Sequence, residues 1–164
     1  MSGHQPSVRD DRPARHGVPE LALGIERVLG VSARQPVRAA FRFDPRAPLV
    51  VSAEFVVENG PRVLWRIGRD LLWQGLRAKS GTGDVRMRPS HQEHRHHAGS
   101  PDDRATAWLQ LATGDVAALF ELPVPPLAEW LERTYALVPA GHELAGVDWD
   151  ATTAGLLDGH RAGS

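Results

Sequence analysis

The sequence contains no cysteine, which excludes disulfides, thiolate nucleophiles and cysteine-ligated zinc together. It has one lysine, Lys79, so nearly all of its positive charge is arginine. No apolar run approaches the roughly 20 residues that a membrane-spanning helix needs. The opening segment "MSGHQPSVRDDRPARH" lacks the apolar centre of a signal peptide, so secretion is not expected and a cytoplasmic protein is the default expectation. Nor is either charge in large excess: 19 Lys and Arg stand against 20 Asp and Glu, a formal net charge of −1. A molecule-wide attraction to nucleic acid or to an anionic membrane is therefore not expected.

What is present is material for one soluble domain. The chain has 164 residues, 41% hydrophobic and 24% charged, enough to bury a real core. Residues 1–18 read as a disordered tail, with Arg9, Arg12 and Arg15 set among Asp, Pro and His. The domain is placed at 19–158, with a short C-terminal tail at 159–164. Abundant Ala, Gly, Pro and Arg point to a GC-rich bacterial coding sequence.

Period-two alternation dominates the first half. "ELALGIERVLGV" (20–31) is ambiguous between a strand through Leu21, Leu23 and Ile25 and a helical stripe through Leu21, Ile25, Val28 and Leu29; the strand is preferred. "PVRAAFRF" puts Val37, Ala39, Phe41 and Phe43 on one face, with Arg38 and Arg42 on the other. "LVVSAEFVV" continues the alternation through Val51, Ala53, Phe55 and Val57. Asn59-Gly60 marks a turn, and "RVLWRI" returns with Val63, Trp65 and Ile67 on one face. Successive strands with short turns predict an antiparallel meander.

The second half predicts a hairpin, "TAWLQLAT" and "VAALFEL", about Gly114-Asp115. "PPLAEWLERTYALV" then changes period, with Leu127, Trp130, Leu131 and Thr134 at helical spacing and prolines at both ends. A last short helix is expected to begin at Asp148 or Asp150. Residues 90–105, "SHQEHRHHAGSPDDRA", read as a mobile loop.

The densest stretch is "RDLLWQGLRAKSGTGDVRMRP" (69–89). Asp70 is placed as the cap of a short helix with Leu72 and Leu76 on one face. Gly75 costs roughly 1 kcal/mol of helix propensity, so a close approach of another backbone is the expected compensation. Arg69 and Asp70 are neighbours that cannot pair across a helix face, so each needs a partner elsewhere. "SGTGD" resembles a phosphate loop only loosely, because Lys79 precedes the glycines and a strand rather than a helix follows. It reads as a glycine turn into a strand, with Val85 and Met87 inward and Arg86 and Arg88 outward. His91, His94, His96 and His97, with Glu93, are read as a solvated tract rather than a zinc site. No catalytic signature such as G-x-S-x-G occurs, and no catalytic, cofactor or metal residue is assigned.

"VLWRIGRDLLWQGL", "GTGDVRMRP", "AALFEL" and "LAEWLERTYALVPAGHE", in this order, closely resemble the SsgA-like (SsgA/SsgB) family of sporulation and cell division proteins of actinomycetes. The resemblance covers roughly residues 35–158. It implies an α+β domain of antiparallel β-sheets with a few helices, similar to the whirly single-stranded nucleic-acid-binding proteins, assembling as a homotrimer. It also implies a non-enzymatic regulator without cofactor or membrane insertion. Such a regulator acts at division septa through protein contacts with the division-ring GTPase FtsZ or another SsgA-like paralogue. Within this frame Trp65, Arg69, Asp70, Leu72, Gly75, Gly81, Gly83 and Asp84 are structural signature or interface residues, with Trp65 placed near a subunit contact. Five tryptophans and exposed strand edges fit such an assembly.

Two alternatives accompany this reading. A single-stranded nucleic-acid-binding module would set Arg38, Arg42, Arg86 and Arg88 beside Trp65 and Trp73, although the net charge makes nucleic acid an unlikely partner. A metalloenzyme built on the histidine tract stands third.

Overall fold

Alternation becomes sheet almost throughout. The computed structural model describes residues 17–90 and 104–143. Seven strands run β1 Leu21–Val28, β2 Arg34–Arg42, β3 Val50–Val57, β4 Arg62–Gly68, β5 Val85–Pro89, β6 Thr106–Thr113 and β7 Val116–Pro123. Helix α1, Arg69–Gly75, joins β4 to β5, and α2, Val124–Leu137, follows β7. The strands form one antiparallel sheet in the order β4-β3-β2-β1-β7-β6-β5. The fold is α+β: two meanders, β1–β4 and β5–β7, joined where β1 pairs with β7. The ambiguous segment at 20–31 is a strand, since Leu21, Leu23 and Ile25 face Phe41, Ala39 and Val37 of β2.

Every strand contributes to one apolar face. Val37, Ala39, Phe41, Val51, Ala53, Phe55, Ile67, Met87, Leu109, Phe120 and Leu122 are all buried there. That face curls on itself. Phe55 of β3 stacks on Phe120 of β7, with ring centroids 4.7 Å apart. Three strand spacings separate β3 from β7, about 14 Å on a flat sheet. The core is therefore the inside of a half-closed trough.

The helices close one end of the trough. Leu127, Trp130, Leu131 and Thr134 are the buried stripe of α2, as their spacing predicts. Trp130 packs on Phe41 and donates its indole N–H to the Pro19 carbonyl at 2.7 Å. Pro125 and Pro126 sit in the first turn, where an amide has no helical partner in any case. Gly75 does compensate through close packing, against a side chain rather than a backbone. A Cβ there would lie 2.5 Å from Met87 Cβ. Gly81 turns into β5 with φ +89°, and a Cβ on it would lie 2.2 Å from the Val85 carbonyl oxygen. Val85 and Met87 point inward and Arg86 and Arg88 outward, as alternation requires.

The histidine tract and the helix expected near Asp148 lie outside the described residues, as do nearly all of both expected tails. Among the described residues no helix is long and apolar enough to cross a membrane.

Candidate functional site

The fold places a charge where solvent cannot reach it. At the exit from β4 the Arg69 amide donates to the Leu49 carbonyl at 2.9 Å, which fixes where α1 leaves the sheet. The Arg69 side chain is only 1% exposed. Its Nη1 donates to the Thr134 and Val138 carbonyls at 3.0 and 2.8 Å, and its Nη2 to Glu143 Oε1 at 3.1 Å. The carbonyls stand at the negative end of the α2 dipole, and α2 has no basic residue in its own last turn. Arg69 supplies that cation from another element. Its Cζ lies 4.0 Å from the Tyr135 ring centroid and 5.1 Å from that of Phe43. Arg69 Nε has no hydrogen-bond partner among the described residues.

Asp70 does not cap α1. The N-cap position belongs to Gly68, and no side chain bonds there. Asp70 instead sits in the first turn, favoured by the helix dipole, and accepts the hydroxyl of Tyr135. Burial, then this bond to Asp70, pushes the Tyr135 hydroxyl well above the usual phenol range. Tyr135 meets Trp73 edge-on at 5.6 Å, and Arg77 lies over the Trp73 ring at 4.2 Å. Glu143 is held below the usual carboxylate range by its own backbone amide, by the Gly141 amide at 2.7 Å and by Arg69. Each charged group of the cluster is thus committed to another part of the chain. Such chemistry fastens α1, α2 and the segment after α2.

Of the residues singled out in the sequence, the structure gathers Arg69, Asp70, Leu72 and Gly75 on α1. Leu72 is fully buried. Gly81 packs near Leu71 of the same helix, whereas Gly83 stands in open space. Asp84 contributes its backbone carbonyl, which accepts the Ala112 amide at 2.8 Å. Trp65 belongs to a different feature. It lies partly buried on the inner face of β4, lining an apolar groove of about 230 Å³ with Phe55, Val57, Val63, Leu111, Val116 and Phe120. Sequence reasoning missed Tyr135 and Glu143. The signals were present: Tyr135 is the only tyrosine, and Glu143 closes the last quoted motif.

The family model described as Streptomyces sporulation and cell division protein, SsgA, matches residues 37–143. This chain belongs to the SsgA family. A protein of Salinispora tropica called sporulation-specific cell division protein SsgB is 38% identical over 126 residues, covering 76% of this chain and 82% of the relative. The Streptomyces coelicolor protein of the same name is 34% identical and covers 82% and 92%. An SsgA-like sporulation-specific cell division protein from Thermobifida fusca has a solved structure that aligns with TM-score 0.68 and 31% identity, over 83% of this chain and 93% of that one. A solved SsgB structure, described in connection with longitudinal cell division during sporulation of Streptomyces coelicolor, aligns with TM-score 0.66 and 33% identity over 76% and 91%. In this SsgA-family chain the matched region begins at Val37, on the inner face of β2, and ends at Glu143, the carboxylate that meets Arg69.

The arrangement required for a single-stranded nucleic-acid site does not form from the residues expected. Arg38 and Arg42 lie on the outer face of β2, while Trp65 lies on the inner face of β4. Arg42 is also engaged by Glu20 and Glu54. Among the described residues no group of three His, Asp or Glu side chains is placed to hold a metal ion.

Proposed function

We propose that this SsgA-family protein is a non-enzymatic regulator of sporulation-specific cell division. It acts through protein–protein contacts in septum-site localisation and in assembly of the FtsZ division ring. The supporting observation is the agreement of name and extent: relatives called sporulation-specific cell division proteins match along most of their own length. The fastened Arg69 cluster agrees with a scaffold whose charged core groups are spent on shape.

In the same reading the protein is cytoplasmic, gathers at division septa and works as a homotrimer of whirly-like subunits. FtsZ or another SsgA-like paralogue is its partner. The apolar groove around Trp65 suits a contact between subunits, since aromatic groups are enriched at interface centres.

The test is a fluorescent fusion expressed from the native locus of a sporulating actinomycete, together with a deletion strain. Signal at septa and misplaced or missing sporulation septa are expected. A uniform signal with unchanged septa would overturn the proposal.

A further inference from the structure

The outer face of the β1-β7-β6-β5 half of the sheet carries a groove of about 370 Å³ that neither the Arg69 cluster nor the inner core uses. Register places its floor. Val28 faces Leu119, Leu119 faces Gln110, and Gln110 faces Arg86, while Trp108 lies opposite Arg88. The floor thus sets the apolar groups of Val28, Leu119 and Trp108 around one polar side chain, Gln110. Its rim is cationic: Lys79, the chain's only lysine, with Arg86 and Arg88.

No carboxylate lines this groove among the described residues. On the other parts of the outer face Arg34 meets Glu121, and Arg42 and Arg62 both meet Glu54. Here, among the described residues, Arg86 makes only long contacts, with the carbonyls of Gly83 and Thr82 at 3.3 and 3.5 Å. Arg88 lies over the Trp108 ring, its Cζ 4.7 Å from the centroid. Asp84 borders the neighbouring hollow, on the far side of Arg86.

We infer that this groove is a docking site for an acidic peptide segment with interleaved apolar side chains, supplied by a partner protein. Three cations around this floor are complementary to carboxylates alternating with aliphatic groups, and each guanidinium can take a carboxylate in two parallel bonds. A nucleic-acid strand is a poorer match. Stacking needs a free ring face, and Arg88 already covers one face of Trp108. A membrane surface would be met by a broad basic face rather than a small groove of this kind. The inference names a partner chemistry for the regulator proposed above but rests on the groove alone, so binding and septation are tested separately.

The experiment uses the full chain at low salt and a short fluorescein-labelled peptide alternating glutamate with leucine, read by fluorescence anisotropy. Its glutamine-for-glutamate counterpart, an oligothymidylate and phosphatidylglycerol vesicles serve as competitors. The glutamate peptide is expected to bind at least about tenfold more tightly than the glutamine one. Affinity is expected to fall by a further factor of about ten in R86Q/R88Q and to be unchanged in R38Q, on the other half of the sheet. Both variants change exposed residues, and thermal melts check that they fold. Equal affinity for the two peptides, or indifference to R86Q/R88Q, would overturn the inference. So would tighter binding of the oligothymidylate or of the vesicles.

Discussion

The Arg69 guanidinium lies face-on to the Tyr135 ring, 4.0 Å from its centroid, while Asp70, the next residue along, accepts the hydroxyl of that same tyrosine. Two adjacent residues of α1 thereby hold both the face and the tip of one side chain on α2. This is how neighbours that cannot pair with each other are both satisfied.

Removing Arg69 strands what it serves. Arg69→Met leaves Glu143 without its cation and takes the guanidinium from the Thr134 and Val138 carbonyls at the end of α2. Loss of one partner from a buried charged network costs about 3–5 kcal/mol. Chemical denaturation should show a loss of this size. Arg69→Lys should recover little, because a compact ammonium lacks the planar fork that reaches two carbonyls and Glu143 while stacking over the Tyr135 ring. A lysine variant as stable as the parent would refute this account.

Asp70 and Tyr135 should be energetically coupled. Asp70→Ala and Tyr135→Phe are each expected to cost about 1 kcal/mol, with the double variant costing less than the sum. Strict additivity in a double-mutant cycle would show that the hydroxyl bond contributes nothing.

Acid should loosen the cluster through Glu143. Its folded pKa is depressed, chiefly by its own amide, then by the Gly141 amide and by the Arg69 guanidinium. Its contribution is therefore present above the ordinary carboxylate pKa and is lost as pH falls through the lower folded value. Tyr135 has the opposite sign. Its raised pKa means that its contribution holds below the ordinary phenol pKa and fades only as pH rises through the folded one. Melting temperatures from neutral to acid pH should drop less steeply in Glu143→Gln than in the parent. Parallel curves would exclude Glu143 as the source.

The glycines should differ sharply. Gly75→Ala drives a Cβ into Met87 and should cost about 1–3 kcal/mol despite its better helix propensity. Gly83→Ala meets nothing within 4 Å and should stay within about 0.5 kcal/mol of the parent. Equal stability of the two variants would contradict the packing described.

Light scattering over a range of concentrations should return the mass of a trimer. Trp65→Asp, in the apolar groove, should shift the population toward monomer. A parent protein that stays monomeric into the tens of micromolar would rule the assembly out.

Much of this was legible because it is local. Val37, Ala39 and Phe41 share a face through the geometry of a strand alone, and Leu127, Trp130, Leu131 and Thr134 share one through that of a helix. What stayed hidden depends on distant parts meeting. Asp70 had the composition of a cap, yet the N-cap position falls on Gly68 and Tyr135 takes the carboxylate. Gly75 announced a close approach without revealing Met87 as its neighbour. The alternative that set Arg38 and Arg42 beside Trp65 could be decided only by the strand pairing, which puts them on opposite faces of the sheet. Nothing in either half of the chain foretold that Phe55 and Phe120 would touch.

The pairing of β1 with β7 also sets an order of events. On a ribosome β1 to β4 emerge first and can pair among themselves, but Arg27 must wait for Phe120 before the other edge of β1 is covered. Until then the nascent half-sheet presents an open strand edge beside unclosed apolar surface, the kind of edge that invites pairing with a foreign chain. Closure depends on contacts of long sequence separation, which form slowly. A pause in synthesis between β4 and β7 would prolong that exposure, so the vulnerable moment for this protein falls during its translation rather than after it.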